Sequence, residues 1–294
     1  LHQNFRDYSS GLTQSQRLEW SKIQGRFKQV DFSEESEDLY SLIAACLRQN
    51  QLSSTEQHNV HRWAEDVLNQ VQSIPLFEGQ NKRDFWTALL PSVYPFHPIA
   101  LYGLPRLSSR LAQNERTLFT FLVSEDPLGF KRFLSETSFD GEALPSLTFD
   151  VIVDFFLYGA RFSSWSPDIH QSISQLESAL ERLGDRPDLE KKILKIIGGI
   201  QLLRAGPALP CNKITMKAAL GFHQGIDDAT FTSAIDGLLA KKIVVHRKFS
   251  DDYHLWEGSD FDFDQSILDI REEMKNEIDF SRSLPGGFLS RPIM

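Results

Sequence analysis

The sequence predicts a mainly α-helical protein that closes on a small β-hairpin, and three observations carry that expectation. Apolar residues return every three or four positions through most of the chain. Breaks containing glycine and proline, such as the run 184–187 and the run 205–210, divide this pattern into separate helices. Near the end, two short strand-like runs, 243–247 and 253–256, flank Ser250, Asp251 and Asp252, as expected of a hairpin.

The elements follow in order. The first thirty-odd residues read as the end of an α/β domain: a polar helix over 15–24, then Gly25, Arg26 and Phe27, then Val30 and Phe32 alternating with Gln29 and Asp31 as a short strand. Ser33, with Glu34, Glu35 and Glu37 behind it, opens a helix to about Arg48 whose stripe is Leu39, Leu42, Ile43 and Leu47. A second helix over 54–71 carries Val60, Trp63, Ala64, Val67, Leu68 and Val71 on one face, and a short third covers 84–90. The segment 94–122 predicts two packed helices or one kinked helix. Pro98 suits a first helical turn, whereas Pro105 falls in the interior and predicts a kink near Leu101.

A turn at 124–129 and a loop at 140–145 follow, with a module boundary expected near Pro145. From 147 to about 203 the pattern is helical, with stripes built on Ile169, Ile173, Leu176, Ala179, Leu180 and Leu183, then on Leu189, Ile193, Leu194, Ile196, Ile197 and Ile200. Helices over 213–220 and 227–240 ahead of the hairpin give the order of a winged helix. A last helix over about 263–278 carries Ile267, Leu268, Ile270, Met274 and Ile278 beside Arg271, Glu272, Glu273 and Lys275, and its partner is expected outside the chain. The expected domains are therefore 1–33, 34–145, 146–208, 209–262 and 263–294.

At 294 residues the chain has room for two or three cores, and 41% hydrophobic with 24% charged residues is the balance of a folded protein. A net charge of −9 argues against a sequence-independent grip on nucleic acid, which needs lysine and arginine against phosphates. Cys46 and Cys211 are the two cysteines and fall in different expected modules, so a disulfide framework and a structural zinc are excluded; reduced thiols suit a cytoplasmic protein. No apolar run is long enough to cross a bilayer. With Leu1 first and no secretory leader, the chain reads as a fragment of a longer protein.

The familiar catalytic signatures are missing: there is no phosphate-binding G-x-x-x-x-G-K-[ST], no G-x-G-x-x-G, no H-E-x-x-H and no G-x-S-x-G. His58 and His61 stand three apart on a helix without an evident third ligand, and surface histidines account for them better than a metal. Asp260, Asp262 and Asp264 alternate with Phe261 and Phe263 but lack the glycine and glutamate of a calcium loop. The expected recognition helix, 227–236, offers no arginine or lysine to a major groove. Lys241, Lys242, Arg247 and Lys248 on the hairpin are read first as edge protection and only second as phosphate contacts. What stands out is the placing of Arg106, Arg110 and Arg116 among the dense apolar positions of 94–122. A guanidinium held by a packed helix presents a rigid fork of donors that suits the terminal phosphate of a nucleotide.

Gly25, Arg26 and Phe27, together with the 94–122 segment, resemble the C-terminal part of an AAA+ or STAND-like P-loop ATPase, similar to large bacterial ATPases of the phage-defence type. The resemblance implies a helical lid bundle, a helical extension and a winged helix. It implies Arg26 as an arginine finger acting in trans and Arg116 as the sensor acting in cis, with Arg110 and Arg106 as the next candidates. It also implies His2 and Gln3 as polar sensor residues near the nucleotide. ATP and Mg would be held by a core that carries the missing phosphate loop, so this chain would not be catalytic alone. The implied partners are the remainder of its own ATPase chain and a homo-oligomer or other protein, with no membrane, and with DNA not favoured. Two rivals stand beside this reading: a non-enzymatic helical adaptor whose winged helix binds protein, and, behind it, a DNA-binding regulator.

Overall fold

The short helix α1 (Ser36–Leu47) is followed by a helix whose start is written into its sequence. The computed structural model describes residues 36–47, 52–111, 118–138, 144–160, 167–184, 188–221 and 227–256. Ser53 caps α2 (Ser54–Val71): its hydroxyl accepts from the Glu56 amide, while the Glu56 carboxylate accepts from the Ser53 amide at 2.7 Å. Such reciprocal capping is worth about 1 kcal/mol. The stripe expected for this helix is the stripe it buries.

α3 (Gln80–Leu89) begins a turn earlier than the pattern suggested, after Gly79 at φ +103°, a conformation that L side chains rarely adopt. A 3-10 turn, Leu90–Val93, leads to α4 (Pro98–Leu111), which is assigned as one helix with Pro105 inside it. Pro105 has no N–H to give the Leu101 carbonyl, but burial on nearly every side of α4 outweighs that loss. The 94–122 segment therefore contains two helices, α4 and α5 (Leu118–Val123). α6 (Phe130–Glu136), α7 (Phe149–Ala160), α8 (Pro167–Leu183) and α9 (Asp188–Leu203) complete the helical body.

The centre of that body is the meeting of α4, α7, α8 and α9. Two glycines allow the approach: a Cβ on Gly103 of α4 would collide with the Phe149 ring, and one on Gly199 of α9 would collide with Val153 and Phe149 of α7. Beside it, Phe96, Phe121, Phe130 and Phe155 form an aromatic cluster, Phe96 stacked on Phe130 at 5.2 Å and Phe121 edge-on to Phe155 at 5.1 Å. The expected boundary near Pro145 falls inside this core. Leu147 N donates to Pro95 O at 2.8 Å, His97 N donates to Leu147 O at 3.0 Å, and Trp63 Nε1 donates to Ser146 Oγ at 2.9 Å. These bonds stitch the chain at 146–147 to both α2 and the entry to α4.

After a 3-10 turn, Gly206–Ala208, come α10 (Lys213–Ala219) and α11 (Asp228–Ala240), then β1 (Val244–Arg247) and β2 (Asp252–Leu255). The strands form a two-stranded antiparallel sheet with Val244 opposite Leu255 and Arg247 opposite Asp252. Cys211 adds to its edge: Tyr253 N donates to Cys211 O at 2.8 Å, and Cys211 N donates to Asp252 Oδ1 at 2.8 Å. The architecture is thus mainly α, with eleven α-helices and one hairpin among the described residues.

The chain divides into units Leu1–Leu39 and Tyr40–Met294. One continuous apolar core runs through the second, from Tyr40 to Leu255. The expected helices at 15–24 and 263–278, the strand at 30–32 and the acidic run at 260–264 lie outside the described residues, as do His2, Gln3, Arg26 and Arg116.

Candidate functional site

Three places in the second unit gather polar side chains, and the arginines of α4 make the first. Arg106 spends its donors on the protein: Nη1 reaches Tyr40 Oη and the Tyr102 carbonyl, each at 3.1 Å, and the guanidinium lies over the Tyr102 ring at 3.6 Å. Burial pushes the Tyr40 hydroxyl above its ordinary pKa, partly offset by Arg106. One turn on, Arg110 Nε is buried with no hydrogen-bond acceptor. Burial and the nearby positive charge of Arg204 hold Arg110 below its usual value, against the pull of Asp168. Arg204, at φ +48° just past α9, donates to Asp168 at 2.7 Å. The ends of α4 and α9 and the start of α8 therefore bring two guanidiniums to one carboxylate, an excess of positive charge. Arg106 and Arg110 share α4; Arg116, Arg26, Gln3 and His2 lie outside the described residues.

The second place is the C-terminal helix pair and hairpin. The acids at the start of α11 have local duties: Asp227 accepts from the Thr230 amide at 2.7 Å and its hydroxyl at 3.0 Å, and these bonds hold its carboxyl below the ordinary range. Asp228 is ion-paired with Lys217 of α10. At the foot of the hairpin, Lys241 reaches Glu190 of α9 at 3.0 Å and Arg182 of α8 donates to the Lys242 carbonyl at 3.3 Å. Gln201 of α9 meets His254 at 2.9 Å, so β2 also contacts the helical body. At the opposite end, Arg247 and Lys248 are exposed beside Phe249, whose relative exposure is 101%. His246 stacks on Tyr253 at 4.3 Å and contacts Asp251 at 2.8 Å, fixing the approach to that tip.

The third place is an open cleft of about 510 Å³ along the outer side of α7 and the start of α9. Phe133, Leu144, Pro145 and Val151 supply apolar wall, and Asp150, Asp154, Asp188, Lys192 and Lys195 supply charge. Lys195 bonds Asp154 at 2.7 Å and Lys192 bonds Asp188 at 2.9 Å. Burial raises the Asp154 carboxyl above its ordinary pKa in spite of Lys195, with Asp150 and Asp188 adding to the rise. Burial alone would lower the Lys192 ammonium, but its bond to Asp188 and the charges of Asp150, Asp188 and Asp154 outweigh it and raise it. Sequence reasoning passed over this group. Its signal was present as Asp150 and Asp154, four apart in a helix otherwise apolar, and as Asp188 and Lys192 at the same spacing.

His58 and His61 are exposed on α2, His61 Nδ1 lying 2.8 Å from the Gln57 carbonyl. Cys46 is exposed, whereas Cys211 is buried, and burial pushes its thiol strongly upward. Among the described residues, no group of three His, Cys, Asp or Glu side chains is placed to hold a metal ion, and no helix is long and apolar enough to cross a membrane. No family model, curated protein or solved structure matches the chain.

Proposed function

We propose that this chain is a non-catalytic helical adaptor whose C-terminal part, α9 to β2, is a winged-helix module that binds protein. The order of helix, short paired stretch at Cys211, two helices and hairpin supports the winged-helix reading. The observation that carries the binding role is Phe249, an aromatic ring held wholly in solvent at the tip of a hairpin that is otherwise bonded to the helical body. An aromatic flanked by Arg247 and Lys248 is the composition of a protein-contact anchor. DNA reading is disfavoured by chemistry: the recognition helix presents Asp227, Asp228 and Asp236, and Lys241 is already paired with Glu190. The experiment is a photo-crosslinking residue at position 249 of the natural full-length protein in its own cells, with position 178 on the exposed face of α8 as control. A discrete protein adduct at 249 but not at 178 is expected; adducts to nucleic acid, or equal labelling at both positions, overturn the reading.

Arg110 favours a second reading, in which the chain is the lid and winged-helix part of a nucleotide-driven AAA+-type ATPase. Its unpartnered buried Nε beside Arg204 is the arrangement that a nucleotide phosphate would complete. On this reading Arg26 and Arg116 stabilise charge at the γ-phosphate, ATP and Mg being bound by a core carrying the phosphate loop. Replacing Arg110 with Ala in the intact protein then lowers turnover more than nucleotide affinity. Unchanged turnover removes Arg110 from the mechanism.

A further inference from the structure

The connection between β1 and β2, 248–251, carries a charge that the hairpin leaves uncompensated. The two acids beside it are engaged elsewhere. Asp251 Oδ1 lies 2.8 Å from His246 Nε2, and Asp252 Oδ1 accepts from Cys211 N at 2.8 Å. Among the described residues, no carboxylate comes within ion-pair distance of Arg247 or Lys248. Next to these two cations stands Phe249, at 101% relative exposure, whereas the other exposed large apolar side chains stand at 40–57%.

The tip is also held in shape. The His246 ring stacks on Tyr253 at 4.3 Å and 12°, and the bond from Cys211 to Asp252 ties β2 to the residues ahead of α10. A contact that is already shaped loses less freedom on binding than a loose loop, so more of its contact energy appears as affinity.

Charge narrows the partner. The chain as a whole carries −9, and two uncompensated cations at one point are a local exception to that balance. An extended polyanion, such as a nucleic acid or an anionic bilayer, would gain few phosphate contacts at the tip while facing an acidic chain along the rest of its length. A compact acidic patch on a protein meets the cations alone. The ring adds a second requirement, an apolar pocket from which water leaves as the ring enters.

We propose that the partner bound by the hairpin tip is a protein with an apolar pocket rimmed by carboxylates: Phe249 fills the pocket, and Arg247 and Lys248 pair with the rim. The inference rests on the reading of the tip as a protein contact, and it adds the chemistry of the partner. Complementary charge of this kind selects the partner and speeds the encounter, and its reversal sets like charges face to face.

The test places p-benzoylphenylalanine, which keeps an aromatic ring at the tip, at position 249 of the natural full-length protein in its own cells. Adduct yield is compared between the unaltered flanks, Lys248→Glu, and Arg247→Glu combined with Lys248→Glu, and the crosslinked partner peptide is sequenced by mass spectrometry. The expected peptide carries aspartate or glutamate among apolar residues, and the yield falls about tenfold or more in the double variant and by a smaller factor in Lys248→Glu. Lys248 lies in the connection, outside both strands, so its variant reads charge even where Arg247→Glu, opposite Asp252, disturbs the hairpin. Arg247→Lys with Lys248→Arg, which exchanges the cations and keeps the charge, retains the yield. A protein adduct that charge reversal leaves unchanged, or a contact peptide without carboxylates, overturns this inference and leaves the protein-binding reading standing. The absence of a discrete protein adduct overturns both.

Discussion

The helix pair α7 and α9 has two sides, and they obey different rules. On the inner side, Phe149, Ile152, Val153 and Phe156 of α7 are buried, and Phe149 and Val153 lie against Gly199 of α9 and Phe149 against Gly103 of α4, where there is no room for even one added methyl group. On the outer side the same helices present Asp150, Asp154, Asp188, Lys192 and Lys195 to an open cleft. The inner side is constrained by volume, because close-packed interiors lose contacts or gain strain with each methylene changed. The outer side is constrained by charge balance, because each partly buried ion needs its partner. One pair of helices therefore separates the stabilising role from the chemical one.

The largest expected break in that contrast comes from the inner side. Phe155→Ala removes a ring buried between Phe121 and Phe156, and it should cost about 3–5 kcal/mol in chemical denaturation. Gly199→Val drives two methyl groups into Val153 and Phe149 and should cost about 1–3 kcal/mol or unfold the chain, whereas Gly184→Ala, with open space around its Cβ but a φ of +63°, should cost less, about 1 kcal/mol. Equal effects of the two glycine substitutions would show that packing at Gly199 is looser than the helix contacts imply.

On the outer side, Lys195→Met should cost about 1–2 kcal/mol, less than a fully buried pair because Asp154 keeps some solvent exposure. The pH dependence of Asp154 is smaller still, and its sign is fixed by the raised carboxyl. The folded state binds this proton more tightly than the unfolded state, so the Asp154 contribution is greatest below the unfolded value of about pH 4 and is lost as pH rises through the folded value. The difference in melting temperature between wild type and Asp154→Asn should drift against the wild type over that rise, and a flat difference would contradict the burial of Asp154.

The inner side was legible in sequence and the outer side was not. Period and punctuation exposed the helices and the hairpin: the stripe of α2 and the restart at Asp188 stand where spacing and turn residues put them, and the hairpin connection, 248–251, falls within two residues of the expected 250–252. Pro105 lies inside α4, as the pattern of 94–111 implied, and the burial that keeps α4 helical through it comes from α7 and α9 around it. The stitching of 146–147 onto 95–97 also depends on distant partners, so the loop near Pro145 resembled a boundary. Arginines drew attention because their chemistry is conspicuous, yet Arg106 is occupied by Tyr40, sixty-six positions away in sequence. The cleft was hidden for the same reason: Asp150 and Lys192 become neighbours only when α7 and α9 pack.

The most direct test of this separation is the thermal stability of Asp150→Asn compared with wild type at neutral pH. If Asp150 contributes to charge and not to packing, replacing its buried carboxylate, whose Oδ1 has no hydrogen-bond partner, with a neutral amide leaves the melting temperature unchanged or raises it. If Asp150 instead stabilises α7, the melting temperature falls by about 2–4 °C for each kcal/mol lost, and the division between the two sides of the helix pair is contradicted.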